Sequence, residues 1–111
     1  LYSHTDGMEA VRLLHRRGTL PRCLVCGNDT IAQGVICAAA QLGIRIPEEL
    51  AIIGFDDLLY SQFFNPPLTT VRQPYEEFGR LAYEYVRRKL AEPDYFAQIE
   101  IKPTLIERST T

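Results

Sequence analysis

Apolar positions Ala10, Val11, Leu13 and Leu14 repeat at helical spacing behind Asp6-Gly7-Met8-Glu9, which has the form of a capping box. Gly18 and Pro21 supply the stop, so the pattern predicts a helix over about residues 8–17. Cys23-Leu24-Val25-Cys26 is a continuous apolar run, as expected of a short strand covered on both faces. Asn28-Asp29-Thr30 offers a helix cap, and Ile31, Ala32, Val35, Ile36, Ala38, Ala39 and Leu42 then repeat at helical spacing until Gly43. Gly34 and Ala38-Ala39-Ala40 keep this helix thin, so that another element can approach it closely.

A second apolar run, Leu50-Ala51-Ile52-Ile53-Gly54-Phe55, predicts a second buried strand. Helix, strand, helix and strand joined by short connections signal a parallel sheet in an α/β fold. After Asp56-Asp57 comes an aromatic loop, Tyr60-Ser61-Gln62-Phe63-Phe64-Asn65, then Pro66-Pro67 and a β-branched stretch, Leu68-Thr69-Thr70-Val71. Pro74 opens an amphipathic helix to about Leu90, with Tyr75, Phe78, Leu81, Ala82, Tyr85 and Val86 on one face. Ile99-Glu100-Ile101 alternates as a half-exposed strand, and Leu105-Ile106-Glu107-Arg108 reads as a last one.

The 111 residues, 46% hydrophobic and 23% charged, amount to one folding unit or part of one, which begins with Leu and so is expected to come from something longer. Twelve Lys and Arg against 14 Asp and Glu leave a net charge of −2, against the concentrated positive field that coating a nucleic acid demands. No apolar run is long enough to cross a bilayer, and Leu1-Tyr2-Ser3-His4 lacks the form of a signal peptide. The odd set of Cys23, Cys26 and Cys37 reads as reduced thiols, and a cytoplasmic location is expected. Cys23 and Cys26 have the spacing of a metal pair, but they lie on a strand, where residues three apart face opposite ways; no metal and no cofactor are expected.

In open parallel sheets ligands bind just beyond the carboxyl ends of the strands. That selects Asn28 after the first strand and Asp56 after the second. An amide and a carboxylate converging there suit the hydroxyl groups of a sugar, polyol or nucleoside. Asn28 and Asp29 serve equally well to cap a helix, and Asp56 to end a strand; the residues alone leave both readings open. Asp56 and Asp57 are adjacent in extended chain and so form no carboxylate dyad, and no nucleophile elbow or phosphate loop occurs, which leaves no catalytic residue to nominate. Arg16-Arg17 and Arg87-Arg88-Lys89 fall in the last turns of predicted helices, where a basic side chain complements the helix dipole.

Five stretches, Leu24-Val25-Cys26-Gly27-Asn28-Asp29-Thr30-Ile31-Ala32-Gln33-Gly34, Leu42-Gly43-Ile44-Arg45-Ile46-Pro47-Glu48-Glu49-Leu50, Ile53-Gly54-Phe55-Asp56-Asp57, Pro66-Pro67-Leu68-Thr69-Thr70-Val71-Arg72-Gln73-Pro74 and Glu107-Arg108-Ser109-Thr110, follow one another along the chain. Together they resemble the lactose/galactose-repressor family of bacterial transcription regulators. The resemblance implies part of a periplasmic-binding-protein-like (type I) fold with a three-layer, parallel-sheet lobe. It places residues 1–71 in an incomplete C-terminal lobe, 72–92 in a crossover and helix of the N-terminal lobe, and 93–111 in strands returning to the first. It implies an effector-binding and dimerisation domain that acts on operator DNA allosterically, through an N-terminal DNA-binding domain outside this sequence.

By position, Asn28, Asp56, Gln73 and Tyr75 resemble effector contacts, while Gln33, Ile36 and Phe64 match positions at a homodimer interface, a match that would account for the thin helix. The apolar face of the helix at 75–90 should then lack its native partners and pack elsewhere. A periplasmic sugar-binding component of a transporter shares the fold and is the alternative reading; a small α/β enzyme is the third.

Overall fold

The Ser3 side chain accepts a hydrogen bond from the Asp6 N–H at 3.3 Å, and the Asp6 carboxylate accepts one from the Ser3 N–H at 2.7 Å. This reciprocal capping box starts helix α1 (His4–Arg16). The helix therefore begins a turn earlier than the sequence pattern suggests: Ser3-x-x-Asp6 satisfies two otherwise orphaned N–H groups at once, leaving Asp6-Gly7-Met8-Glu9 inside the helix. The computed structural model describes residues 3–111; Leu1 and Tyr2, where the expected first lobe begins, lie outside the described residues.

Helix α2 (Asp29–Leu42) is capped by Asn28, whose Oδ1 accepts from the Ile31 N–H at 2.8 Å, and it closes on Gly43 in the left-handed conformation at φ 71°. The two helices approach closely at two glycines. A Cβ on Gly34 would strike the carbonyl oxygen of His4, and one on Gly7 the carbonyl of Ile31. The thinness of α2 thus has a cause within the chain: Gly34 admits α1, and Ala32, Ala38 and Ala39 are buried in the core with Val11, Val35, Leu50, Ile52 and Leu68.

Strands β1 (Cys23–Val25), β2 (Ala51–Asp56), β3 (Thr69–Arg72) and β4 (Thr104–Ile106) lie side by side in sequence order. The β1–β2 pair is parallel, with Val25 opposite Ile53, and the β2–β3 pair is parallel, with Gly54 opposite Thr70 and Asp56 opposite Arg72. Ile52 and Gly54 are buried on the side covered by α2. Val25, Ile53 and Phe55 point the other way, and Val25 is 76% exposed. Two of the three expected layers are therefore described, and β1 is covered on one face rather than two.

Thr110 joins β2 and β3 at their amino ends, opposite the carboxyl-end rim. It is fully buried, its hydroxyl donating to the Ile52 carbonyl at 2.7 Å and accepting from the Thr69 N–H at 2.8 Å. The aromatic loop contains a 3-10 turn at Ser61–Phe63.

The chain divides into two compact units: one runs to Arg72 and resumes over Leu105–Thr111, and the second is Gln73–Thr104. The second unit holds α3 (Tyr75–Ala91), with Pro74 in the cap position rather than in the first turn. Tyr85 packs on Tyr95 with ring centroids 5.5 Å apart, and the Arg88 guanidinium lies over the same ring at 4.2 Å.

Ile99-Glu100-Ile101 forms no strand, because a strand is made by its neighbour and none is described beside it. No residue of α3 is buried. The expected apolar face borders an open groove of about 320 Å³ lined by Phe78, Leu81, Tyr85, Val86, Ile99 and Ile101. No described helix is long and apolar enough to cross a membrane.

Candidate functional site at the strand ends

Asn28 follows β1 and Asp56 ends β2, so the parallel pairing of these neighbours sets both at the carboxyl-end rim of the first unit. Asn28 is half-buried and its Oδ1 is committed to the helix cap. The next residue organises the rim. Asp29 is completely buried at the first turn of α2, where the helix dipole favours a negative charge. Its Oδ2 accepts from the Leu58 N–H at 2.8 Å and the Ser61 hydroxyl at 2.5 Å, and its Oδ1 accepts from the Thr70 hydroxyl at 2.5 Å. One carboxylate thereby ties the start of α2 to the segments after β2 and within β3.

Asp56 and Asp57 both have positive φ, 115° and 54°. Side-chain-bearing residues reach this region at a steric cost, and such strain persists only where the surroundings over-determine it. Here they do. Asp57 Oδ1 receives Arg108 Nη2 at 2.7 Å, and Oδ2 receives Arg72 Nε at 2.6 Å. Burial raises the Asp57 pKa, but the hydrogen bonds and charges of Arg108 and Arg72 outweigh it, and the carboxyl sits below the usual carboxylate range. Asp57, Arg72, Arg108, Leu58, Leu59 and Gln62 border a polar recess of about 300 Å³.

Gln73 and Tyr75 fall in the second unit, where the Gln73 amide donates to the Tyr75 hydroxyl at 3.1 Å. The structure thus brings Asn28 and Asp56 together on one unit, and Gln73 and Tyr75 on the other. Gln33 is half-buried on α2, Phe64 packs partly against the core and against Tyr60, and Ile36 is a core residue at 5% exposure.

Sequence reasoning missed Asp29, Asp57 and Arg108 as organisers. Asp29 was open to reading as a helix cap, whereas Asn28 is the cap and the Asp29 carboxylate turns inward. Gly54 was the available signal, since a Cβ there would run into the Asp29 carboxylate and the Leu68 side chain. Among the described residues no group of three or more His, Cys, Asp or Glu is placed to hold a metal ion.

Residues 2–111 match the periplasmic binding protein-like domain family. The HTH-type transcriptional repressor PurR of Pectobacterium atrosepticum is 38% identical over 104 residues, covering 93% of this chain and 30% of the repressor. The chain therefore spans under a third of the length of that curated relative. A LacI-type transcription regulator from Bifidobacterium animalis subsp. lactis is 28% identical with a TM-score of 0.88, over 99% of this chain and 40% of its own. The lac repressor dimer, solved bound to operator and the anti-inducer ONPF, shares the fold at a TM-score of 0.88 and 24% identity, over 97% of this chain and 33% of its own.

Proposed function

Given that the chain belongs to the periplasmic binding protein-like domain family and that its relatives are LacI-type transcription regulators, we propose that it forms part of the effector-binding and dimerisation domain of such a regulator. The observation that carries the reading is the strained, doubly anchored turn that sets Asp56 at the rim beside Asn28. A carboxylate held in this way accepts two hydrogen bonds from vicinal hydroxyls, and an amide beside it adds a donor. The ligand class is a sugar, polyol or nucleoside.

Asn28, Asp56, Gln73 and Tyr75 are the residues assigned to the effector. Binding favours one arrangement of the parent protein, and operator affinity changes by the same coupling free energy. DNA is bound by a separate domain, the protein works in the cytoplasm, and no chemical step is performed. Gln33 and Phe64 meet a second copy; Ile36, buried in the core, supports that surface from below.

The test is a calorimetric screen of sugars, polyols and nucleosides against the regulator that contains this chain. A ligand whose binding is lost in Asp56→Ala, with the fold intact by circular dichroism, supports the reading. Unchanged affinity in Asp56→Ala rejects it, and turnover of the ligand would point to an enzyme.

A further inference from the structure

The chain passes between its two units at 72/73 and again at 104/105. Arg72 is the last residue of β3 before the first crossing, and Arg108 lies just past β4 after the second. Both are bound by the same carboxylate, that of Asp57, one to each oxygen. Arg108 is also fixed to the neighbouring segment: its N–H donates to Thr69 Oγ1 at 2.9 Å and its Nη1 to the Leu68 carbonyl at 2.8 Å. The Asp57 side chain is only 6% exposed and that of Arg108 17%, so their pair is not a loose surface pair that contributes little, while Arg72 reaches the same carboxylate from the exposed side.

We propose that Asp57 is a positioning residue: its carboxylate clasps the outgoing and the returning segment together, and so holds the Asp56-Asp57 turn in the left-handed conformation that presents Asp56 at the rim. The β2–β3 ladder reaches Asp56, opposite Arg72; beyond it, the Asp57 N–H makes a long hydrogen bond, 3.4 Å, to Thr70 Oγ1. The anchor on the far side is separate, running from the Leu58 N–H to Asp29. An aspartate is required because two cationic donors arrive at two oxygens. Asparagine has the same shape but replaces one acceptor oxygen by an NH2 group that only donates, so it serves one arginine and repels the other. What the clasp means for function rests on the reading of Asp56 as an effector contact; the clasp itself does not.

Amide hydrogen exchange and HN–Hα couplings of the full chain, measured by NMR without ligand, test it. In Asp57→Asn, the amides of Asp57 and Arg108 should exchange about tenfold faster, and the couplings of Asp56 and Asp57 should leave their left-handed values, while Val35 and Ile52 stay within about twofold. Arg72→Gln removes only the exposed partner and should reproduce the change at Asp57 with a smaller one at Arg108. Should Asp57→Asn not fold, that second variant decides by the same readouts.

Unchanged couplings and exchange at the turn in a folded variant overturn the clasp. So does an equal rise at the turn and in the core, which marks a general loss of stability. Because no ligand is present, neither result measures effector binding, which the calorimetric screen tests separately. A wild-type protein with the clasp intact that binds nothing in the calorimetric screen removes the effector reading and leaves the clasp standing.

Discussion

Gly54 and Asp29 lie so close that a single methyl group between them does not fit. A Cβ on Gly54 would meet Asp29 Oδ1 and the Leu68 side chain, both fully buried. The glycine in β2 is therefore the space in which the carboxylate that builds the rim is seated. Gly54→Ala should destabilise the chain by about 1–3 kcal/mol through overpacking. Asp29→Ala, which leaves the Leu58 N–H and the Ser61 and Thr70 hydroxyls without their acceptor, should cost at least about 2 kcal/mol. Urea unfolding of each variant gives both values, and wild-type stability in Gly54→Ala would show that the rim can move aside.

The parallel order of strands and helices was legible in the sequence because buried strands read as unbroken apolar runs and α2 carries an unbroken helical period. Its Gly43 stop is a local event, and local chemistry is what a sequence displays. Two kinds of feature were not. The start of α1 depended on two competing caps, Asp6 and Ser3, and only reciprocal hydrogen-bond geometry separates them. The strand expected at Ile99-Glu100-Ile101 depended on a neighbour, and alternation states a preference without supplying a partner. The position of Asn28 and Asp56 at the carboxyl ends of β1 and β2 was legible from the order of the elements. The pairing of Asp57 with Arg108 was not, since 51 positions separate them and no pattern announces a pair at that distance.

Gly34 in α2 faces the carbonyl of His4 in α1, and the contact is backbone on backbone. No side chain can rotate away to make room. Gly34→Ala should force the helices apart and lower stability by about 2 kcal/mol or more despite alanine's better helix propensity. Gly18→Ala makes the comparison: its added Cβ meets nothing within 4 Å, but its φ of 66° is unfavourable for alanine, so a loss of about 1 kcal/mol is expected from the backbone alone. Thermal unfolding should rank Gly34→Ala as the more damaging, and the reverse order would mean that α1 yields easily.

Asp57 makes the fold sensitive to acid. Its folded-state pKa is lowered, so the unfolded chain takes up the proton first as pH falls. The contribution is complete above the ordinary aspartate value of about 3.9 and is lost as pH drops below that toward the folded value. Asp6 and Glu49 are shifted the same way, but Asp6 is only half-buried and Glu49 is exposed, so solvent screens both. Asp57→Asn should therefore flatten the fall in stability below about pH 4 more than Asp6→Asn does, as measured by urea midpoints across pH. Parallel curves for Asp57→Asn and wild type would show that the arginines contribute nothing at this site.

Thr110 acts as a rivet between β2 and β3, donating to Ile52 and accepting from Thr69. Thr110→Val keeps the shape and removes both hydrogen bonds, leaving a buried N–H and a buried carbonyl to find other partners. A loss of about 1–3 kcal/mol is expected, with faster amide exchange at Thr69. Thr110→Ser, which retains the hydroxyl, should recover most of it. Equal losses in the two variants would assign the effect to packing of the methyl group.

The three thiols should react in an order set by burial. Cys23 is exposed, Cys37 is half-buried and Cys26 is 6% exposed. Burial, with smaller contributions from Cys23 and Asp29, pushes the Cys26 thiol up to about 11. The thiolate is the nucleophile, so at neutral pH Cys26 is both hidden and protonated. A maleimide titration should show a fast phase that disappears in Cys23→Ser and survives in Cys26→Ser, with Cys26 labelled only on unfolding or at strongly alkaline pH. The raised folded-state pKa has a second consequence: the unfolded chain loses this proton first, so the stabilising contribution of the neutral thiol declines as pH rises through the ordinary thiol range toward about 11. Cys26→Ala should abolish that alkaline decline, and rapid labelling of Cys26 in the folded chain at neutral pH would mean that β1 opens on the timescale of the reaction.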